Sequence, residues 1–381
     1  WLWEMSDEIH QVCPISYWHV WDNDPYPAFN KVWYDSTDLI NCLSHKTYEL
    51  VQPHFPEKTN YIPHAFPPSV YHPLTPEIVS QVRKQNFGDR EDWFIGLWVN
   101  RNATRKMPAD VLGAWKLFLD KLEKEEGHKR ALLIMHTDPT DQEGPNLFAV
   151  SELLGLSNNV WFSTQKLEFG DMNVLHNISD FTVNISKAEG FGLSCLSSLQ
   201  VGKPVVALKT GGMIRQATDY RDGFELGAAI DPTVRVMAGS QLVPYIYDDH
   251  VSTMAVAAGF MKVYKLTPAE RLVMSQRTQD YVNHEFNFEK MISDWDQSLD
   301  KCITEWKSKK PRQWELIPLQ SKAVQLATPP RDVRQVGNTA PIDLPGTNAP
   351  TPAPIQTEPL DINKIKVSYR QPKPVTRKVS P

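Results

Sequence analysis

The segment Ser186–Gly212, SKAEGFGLSCLSSLQVGKPVVALKTGG, constrains this chain more than any other. The apolar run Phe181–Ile185 leads into Glu189 and two closely spaced glycines, Gly190 and Gly192. A helix-like run, Leu193–Val201, follows, then a Gly-Lys-Pro break, a buried-strand run Val205–Leu208 and the Gly211-Gly212 turn. This order predicts strand, glycine-rich loop, helix, strand and loop, one βαβ unit with its polar loops at the carboxyl ends of the strands. In open parallel sheets, ligands bind at those ends. Glycines without a Cβ let a ligand approach the backbone. The helix start offers unpaired N–H groups and a partial positive charge, which suits a phosphate. Glu189 repels a phosphate, so its natural partners are hydroxyl groups. A carboxylate beside an anion-binding helix start fits a ligand that is half phosphate and half sugar.

The rest of the chain supports an α/β architecture. Pro14–Val20 and Leu39–Leu43 read as strands and Lys46–Val51 as a short helix. Trp93–Val99 is a further strand, and Pro108 suits a first helical position. Val111, Trp115, Phe118, Leu119 and Leu122 then share one helix face, ahead of a strand at Leu132–Met135 and a loop at His136–Pro145. Repeated units of this kind imply a parallel sheet covered on both faces. Near the end, Phe288, Ile292, Trp295, Leu299, Cys302 and Trp306 recur by four and three, the stripe of a long amphipathic helix. Beyond residue 310 the composition shifts. Thirteen of the thirty prolines fall in the last 71 residues, which reads as a disordered Pro-rich tail.

Composition excludes several classes. The 381 residues suffice for two domains and a tail. Twelve tryptophans point to aromatic core packing ahead of sugar stacking. A net charge of −5 and a pI near 6.1 argue against a general nucleic-acid or anionic-membrane binder. No apolar run approaches the ~20 residues of a spanning helix, so any membrane contact would be peripheral. The basic stretch Lys364–Lys378 reads as a solvated part of the tail. Cys13, Cys42, Cys195 and Cys302 are dispersed, which fits a reducing, cytoplasmic setting rather than a disulfide or zinc framework. The sequons at Asn102, Asn177 and Asn184 read as chance matches, and His64, His72 and His136 lack metal-ligand spacing.

The glycine-rich segment resembles the donor-binding signature of the retaining family-4 glycosyltransferases of GT-B fold: E-G-F-G-L before a helix, then G-x-P-V-V-A and G-G. Tyr61–Pro73, YIPHAFPPSVYHP, is similar to the family's interdomain segment. Phe94–Lys106, FIGLWVNRNATRK, resembles the strand and loop that carry the family's Arg and Lys, here Arg101 and Lys106. The resemblance runs from about Asp38 to Ile303. It implies two Rossmann-like domains facing a cleft. Residues 1–75 would be an incomplete N-terminal, acceptor-side domain and 76–284 the C-terminal nucleotide-sugar domain. Residues 285–310 would be a crossover helix returning to the first domain, and 311–381 the tail. Three departures stand out. Ser197 replaces the family's second Glu, Arg215 stands where an acidic residue is common, and nothing in Trp1–Pro27 resembles the family's first glycine-rich loop. The chain also opens on Trp1, so the first strands and helices of the N-terminal domain are expected to be missing.

What the resemblance implies about function is retaining transfer of a hexose from a nucleotide-diphosphate sugar to an acceptor hydroxyl on a glycan, lipid or protein. The nucleotide sugar is a substrate, and neither a cofactor nor a metal is implied. Glu189 would hold the sugar hydroxyls, while Arg101 and Lys106 would face the diphosphate, with Arg105 a local competitor. Backbone N–H groups of Gly190, Phe191, Gly192 and Leu193 would meet the distal phosphate, and Ser197 inherits the ribose position. His19 or Asp22 would lie near the family's catalytic histidine loop. Two alternatives remain. Asp22-Asn23-Asp24 matches the D-x-D pattern by which another transferase fold binds a divalent cation. The chain would otherwise be a non-catalytic nucleotide- or sugar-binding module of the same fold. A dehydrogenase is remote, since a full G-x-G-x-x-G after a first strand is absent.

Overall fold

A computed structural model describes residues 2–309, and the tail expected over 311–381 lies outside the described residues. Three short parallel strands come first, β1 (Ser16–His19), β2 (Leu39–Cys42) and β3 (Thr59–Tyr61), in that spatial order. Helices α1 (Ser6–Ile9), α2 (Lys31–Asp35) and α3 (His45–Val51) accompany them. All four residues of β2 are buried, and Tyr34, Ile40, Cys42 and Val51 form a small core against it. Ser44 caps α3, its hydroxyl accepting from the Thr47 N–H at 3.2 Å.

The Pro-dense stretch after β3 crosses without strand or helix to α4 (Pro76–Phe87), capped by Thr75 with Pro76 in the first turn. From there the alternation is regular: β4 (Phe94–Val99), α5 (Pro108–Glu126), β5 (Ala131–His136), α6 (Leu147–Leu153) and β6 (Val160–Ser163). α7 (Phe169–Asn177), β7 (Phe181–Asn184), α8 (Leu193–Gln200), β8 (Val205–Leu208) and α9 (Ile214–Ala217) follow. A two-residue antiparallel ladder, β9 (Thr218–Asp219) with β10 (Phe224–Glu225), precedes β11 (Gly227–Ile230). β12 (Val234–Ala238) and β13 (Ile246–His250) form a hairpin, and α10 (Thr253–Tyr264), α11 (Pro268–Glu285) and α12 (Phe288–Ser308) complete the described chain.

Six strands pair in parallel in the order β11-β8-β7-β4-β5-β6. Side chains on a strand alternate between faces, and β4 shows the result. Phe94 and Trp98 enter the core beneath α5 and α10, whereas Ile95 and Leu97 enter the core beneath α4 and α7. The five apolar residues expected on one face of α5 are all buried, Trp115 and Phe118 completely. Burial of each large apolar side chain contributes roughly 1.5–3 kcal/mol, so this sandwich is the main source of rigidity. Trp98 is likewise fully buried, as core packing predicts.

α12 does return to the first sheet. Trp295 meets Trp18 edge-on at 5.7 Å, Ser298 accepts from Asn41 at 3.0 Å, and Trp306 donates to the His10 carbonyl at 2.9 Å. Its stripe is only partly covered, because Cys302 is buried while Ile292 and Leu299 stay exposed. The β12–β13 hairpin was absent from the expectation of repeated α/β units. Its signal was the alternating run Val234–Met237 followed by Gly239-Ser240, a strand and turn pattern inside a segment otherwise read as loop.

Candidate functional site

The strand order places a topological switch between β4 and β7, since the chain winds outward in opposite directions from that pair. The loops leaving their carboxyl ends carry the residues of interest. After β4, Thr104–Lys106 form a single 3-10 turn, and Met107 is buried with a left-handed φ of 51°. That conformation is costly for a side chain with a Cβ, and it lets Pro108 start α5 immediately after the turn. The turn directs Arg105 and Lys106 toward the loop after β7. Lys106 Nζ pairs with Glu189 Oε2, both nearly buried. Arg105 donates to the Ala188 carbonyl and pairs with Asp22 Oδ2 at 3.2 Å. Its own carbonyl accepts from the Lys187 N–H at 2.9 Å.

Asp22 comes from the loop after β1, so the first sheet contributes directly. Its carbonyl accepts from the Glu189 N–H at 3.2 Å, while the Glu189 carbonyl accepts from Gly212 at 2.8 Å. Burial pushes the Asp22 carboxyl above the usual aspartate range, and the Arg105 guanidinium opposes that shift. Gly190 is required by this closeness. A Cβ there would collide with Val20 and lie 2.7 Å from Asp22 Oδ1. The close approach at Gly190 is therefore by protein side chains, whereas the sequence suggested a ligand.

α8 opens with Gly192 at φ 95°, with no side-chain cap. Among the described residues, no acceptor meets the N–H groups of Gly190, Phe191, Gly192 or Leu193. Glu189 does not cap the helix. Its carboxylate stands beside a row of open amides and is balanced by Lys106. The Phe191 ring is buried against His64 and Phe286, at 5.0 and 5.7 Å, so only its backbone faces the site. Ser197 is buried one turn inside α8, and its hydroxyl donates to the Leu193 carbonyl at 3.0 Å. The Ser197 hydroxyl is thus satisfied by its own helix.

Arg101 lies outside this cluster. It is 60% exposed and pairs with Asp141 at 2.7 Å and Glu143 at 3.0 Å, both in the loop after β5. The neighbouring Asn102 explains the direction. It is fully buried and donates to the Pro145 carbonyl at 2.9 Å, which pins this part of the β4 loop against the β5 loop. His19 is also apart. It is buried on β1 with Nε2 2.7 Å from the Tyr34 hydroxyl, and burial lowers its pKa to about 4. Its Nδ1 is buried and meets no hydrogen-bond partner among the described residues. Asp22 and Asp24 diverge, Asp24 pairing with Lys46 at 2.7 Å and Arg235 at 3.0 Å. Each carboxylate already has a cation, and among the described residues no cluster suited to a metal occurs.

One functional element was not legible beforehand. Asp249 on β13 has a fully buried carboxylate that accepts from Asn23 at 2.8 Å, from Thr210 at 2.7 Å and from Arg235 at 2.7 Å. Its N–H donates to the Lys187 carbonyl at 2.7 Å. Its side chain thereby fastens the loops that carry Asp22 and Gly211, and its backbone N–H fastens the loop that carries Glu189. Asn23 is 226 positions away in the chain, so no local pattern announces the bond.

Residues 80–235 match the family model of group 1 glycosyl transferases. HepE from Anabaena, solved in complex with UDP and glucose, is 17% identical over 72% of this chain and 66% of its own, with a TM-score of 0.56. Sucrose-phosphate synthase from Thermosynechococcus elongatus is 17% identical over 72% of this chain and 61% of its own, with a TM-score of 0.55. A glycosyltransferase from Rickettsia africae is 17% identical over 75% of this chain and 69% of its own, with a TM-score of 0.53. The chain thus spans about two thirds of the length of the solved structures it matches. No curated protein sequence matches it. Likeness at this identity shows the fold, and that fold is GT-B.

Proposed function

We propose that this chain, which carries a group 1 glycosyl transferase domain on a GT-B fold, moves a hexose from a nucleotide-diphosphate sugar to an acceptor hydroxyl. The observation that carries the reading is the Lys106–Glu189 pair at the switch point, set beside the open amides of Gly190–Leu193. Breaking the bond between the anomeric carbon and a phosphate oxygen builds negative charge on the departing diphosphate. Fixed cations and backbone dipoles stabilise that charge without reorganising. Lys106, Arg105 and the α8 start are suited to this, and Glu189 is suited to accept hydrogen bonds from sugar hydroxyls once donor binding loosens its pair with Lys106.

Retention of configuration follows in this reading if the departing phosphate takes the acceptor proton on the same face of the sugar, with no protein nucleophile. In this reading Asp22, the carboxylate that reaches the cluster from the first sheet, orients the acceptor; its pair with Arg105 supports that role. Metal-free chemistry is supported by the cations already paired with Asp22 and Asp24. No helix among the described residues is long and apolar enough to cross a membrane, and a cytoplasmic setting belongs to the same proposal.

Calorimetric titration with UDP, GDP and ADP, with and without EDTA, tests nucleotide class and metal use together. Saturable binding unaffected by EDTA is expected, and binding abolished by EDTA would overturn the metal-free reading. Glu189→Gln should lower donor turnover by about a hundredfold or more while the folded state is retained in circular dichroism, with some loss of melting temperature because Lys106 loses its counter-charge. Wild-type turnover in that variant would remove Glu189 from the site. The rival reading, a non-catalytic binding module, draws on Ser197, whose hydroxyl is engaged by its own helix. Nucleotide-sugar binding with neither transfer nor hydrolysis would favour it.

A further inference from the structure

The amino end of the six-stranded sheet holds a cavity of about 630 Å³, on the far side of the sheet from the site above. The Gly202-Lys203-Pro204 bend between α8 and β8 lines it, and so does Asp180 ahead of β7. Apolar groups from Leu74, Val79, Leu266 and Met274 form part of its wall. Three cations also face it, Arg83, Lys203 and Arg271. Two of them have structural partners. Arg83 donates to the Ile178 carbonyl at 2.8 Å and the Trp93 carbonyl at 3.5 Å, and pairs with Asp180 at 3.0 Å. Arg271 donates through Nε to the Leu266 carbonyl at 3.0 Å and through one Nη to the Tyr264 carbonyl at 2.9 Å, closing the end of α10.

What remains unused is specific. Among the described residues, neither Lys203 Nζ nor the second Nη of Arg271 meets an acceptor. Three acidic groups share the lining. Asp180 accepts from Arg83 and from the Ile95 N–H, Asp92 pairs with Arg130, and Glu91 lies on the lining. Burial pushes the Lys203 ammonium below the usual lysine range; the Asp180 carboxylate opposes that shift, and Arg83 and Arg271 add to it. A secluded ammonium without a partner carries a desolvation cost that an apolar side chain would not. Two unused donors on the lining of one partly apolar cavity describe a ligand with an oxyanion at one end and an organic body at the other.

We propose that this cavity binds a small phosphate monoester, its oxygens accepting from Lys203 and Arg271 and its organic part lying against Leu74, Val79, Leu266 and Met274. The inference is independent of the glycosyl-transfer reading, since no residue is shared between the two sites. Calorimetric titration of the full chain with phenyl phosphate and with inorganic phosphate tests it, alongside the Lys203→Met and Lys106→Met variants. Phenyl phosphate should bind saturably and more tightly than inorganic phosphate. Lys203→Met should weaken it at least about tenfold, and Lys106→Met should leave it in place. No saturable binding, equal binding in Lys203→Met, or loss in Lys106→Met would overturn the site. Without ligand, Lys203→Met should melt no lower than the wild type, because it removes a half-buried ammonium that no hydrogen-bond acceptor meets among the described residues. A fall of several degrees would show that the chain satisfies the ammonium itself, and would equally overturn the proposal.

Discussion

At the carboxyl end of the six-stranded sheet the crossover helices present their N-termini, and at the amino end the same helices present carbonyls. The two ends therefore gather positive charge by different means. At the carboxyl end the open amides of Gly190–Leu193 supply it from the backbone, and Arg105 and Lys106 are held by Asp22 and Glu189 from other loops. At the amino end Arg83 and Arg271 spend most of their donors on the carbonyls of Ile178, Tyr264 and Leu266, and among the described residues no acceptor meets Lys203 Nζ. Charge built into the backbone survives the loss of one side chain. Charge carried by one ammonium does not.

The largest expected difference is catalytic. Lys106→Met should lower transfer turnover by roughly 10²–10³-fold, while Lys203→Met should stay within about twofold of wild type. Equal losses in a steady-state assay would erase the distinction between the two ends. Next in size is the fastening of the carboxyl end. Asp249→Ala removes a buried carboxylate with three partners and should cost about 3 kcal/mol in chemical denaturation. Asp249→Asn, which can still accept from Asn23, should recover part of that loss. If Asp249→Ala weakened donor binding no more than it weakened the fold, its role in placing the loops would be refuted.

A pH titration separates buried histidines from these charge pairs. Burial lowers His19 to about 4 and His176 to about 3, so the folded chain resists protons that the unfolded chain binds near 6.5. Stability should be full above about pH 6.5 and fall as the pH drops toward 4, with His19 accounting for about 3 kcal/mol. His19→Gln should flatten part of this slope in thermal melts, and an unaltered slope would assign the loss to other groups. The smallest contrast lies within one loop. Arg105→Ala should lower donor affinity measurably more than Arg101→Ala, whose guanidinium is exposed and already ion-paired. The reverse ranking in calorimetry would return Arg101 to the diphosphate.

How much could be read in advance depended on the range of the interaction. β7, β8, α8 and the face of α5 were legible because apolar periodicity is local and survives into the packed sheet. Lys106 and Glu189 were legible through the motif they occupy. Arg101 and Arg105 were harder to rank. Both follow the same strand, and their directions diverge because buried Asn102 bonds to Pro145 in a neighbouring loop. His19 and Asp22 lie three residues apart on one strand end, yet one is enclosed with Tyr34 and the other reaches Arg105. The β12–β13 hairpin left a weak alternating signal, but its tie from Asp249 to Asn23 and Thr210 left none.

By itself the sequence determined an α/β chain with a glycine-rich strand–helix connection and the residue types suited to a sugar phosphate. Only the tertiary structure decided which cations face that connection, which carboxylates hold them, and which lysine lines the cavity at the opposite end of the sheet. The reason is physical. Backbone geometry and apolar periodicity are fixed by neighbours a few residues away, whereas a charge finds its partner through packing between segments that can lie more than two hundred residues apart.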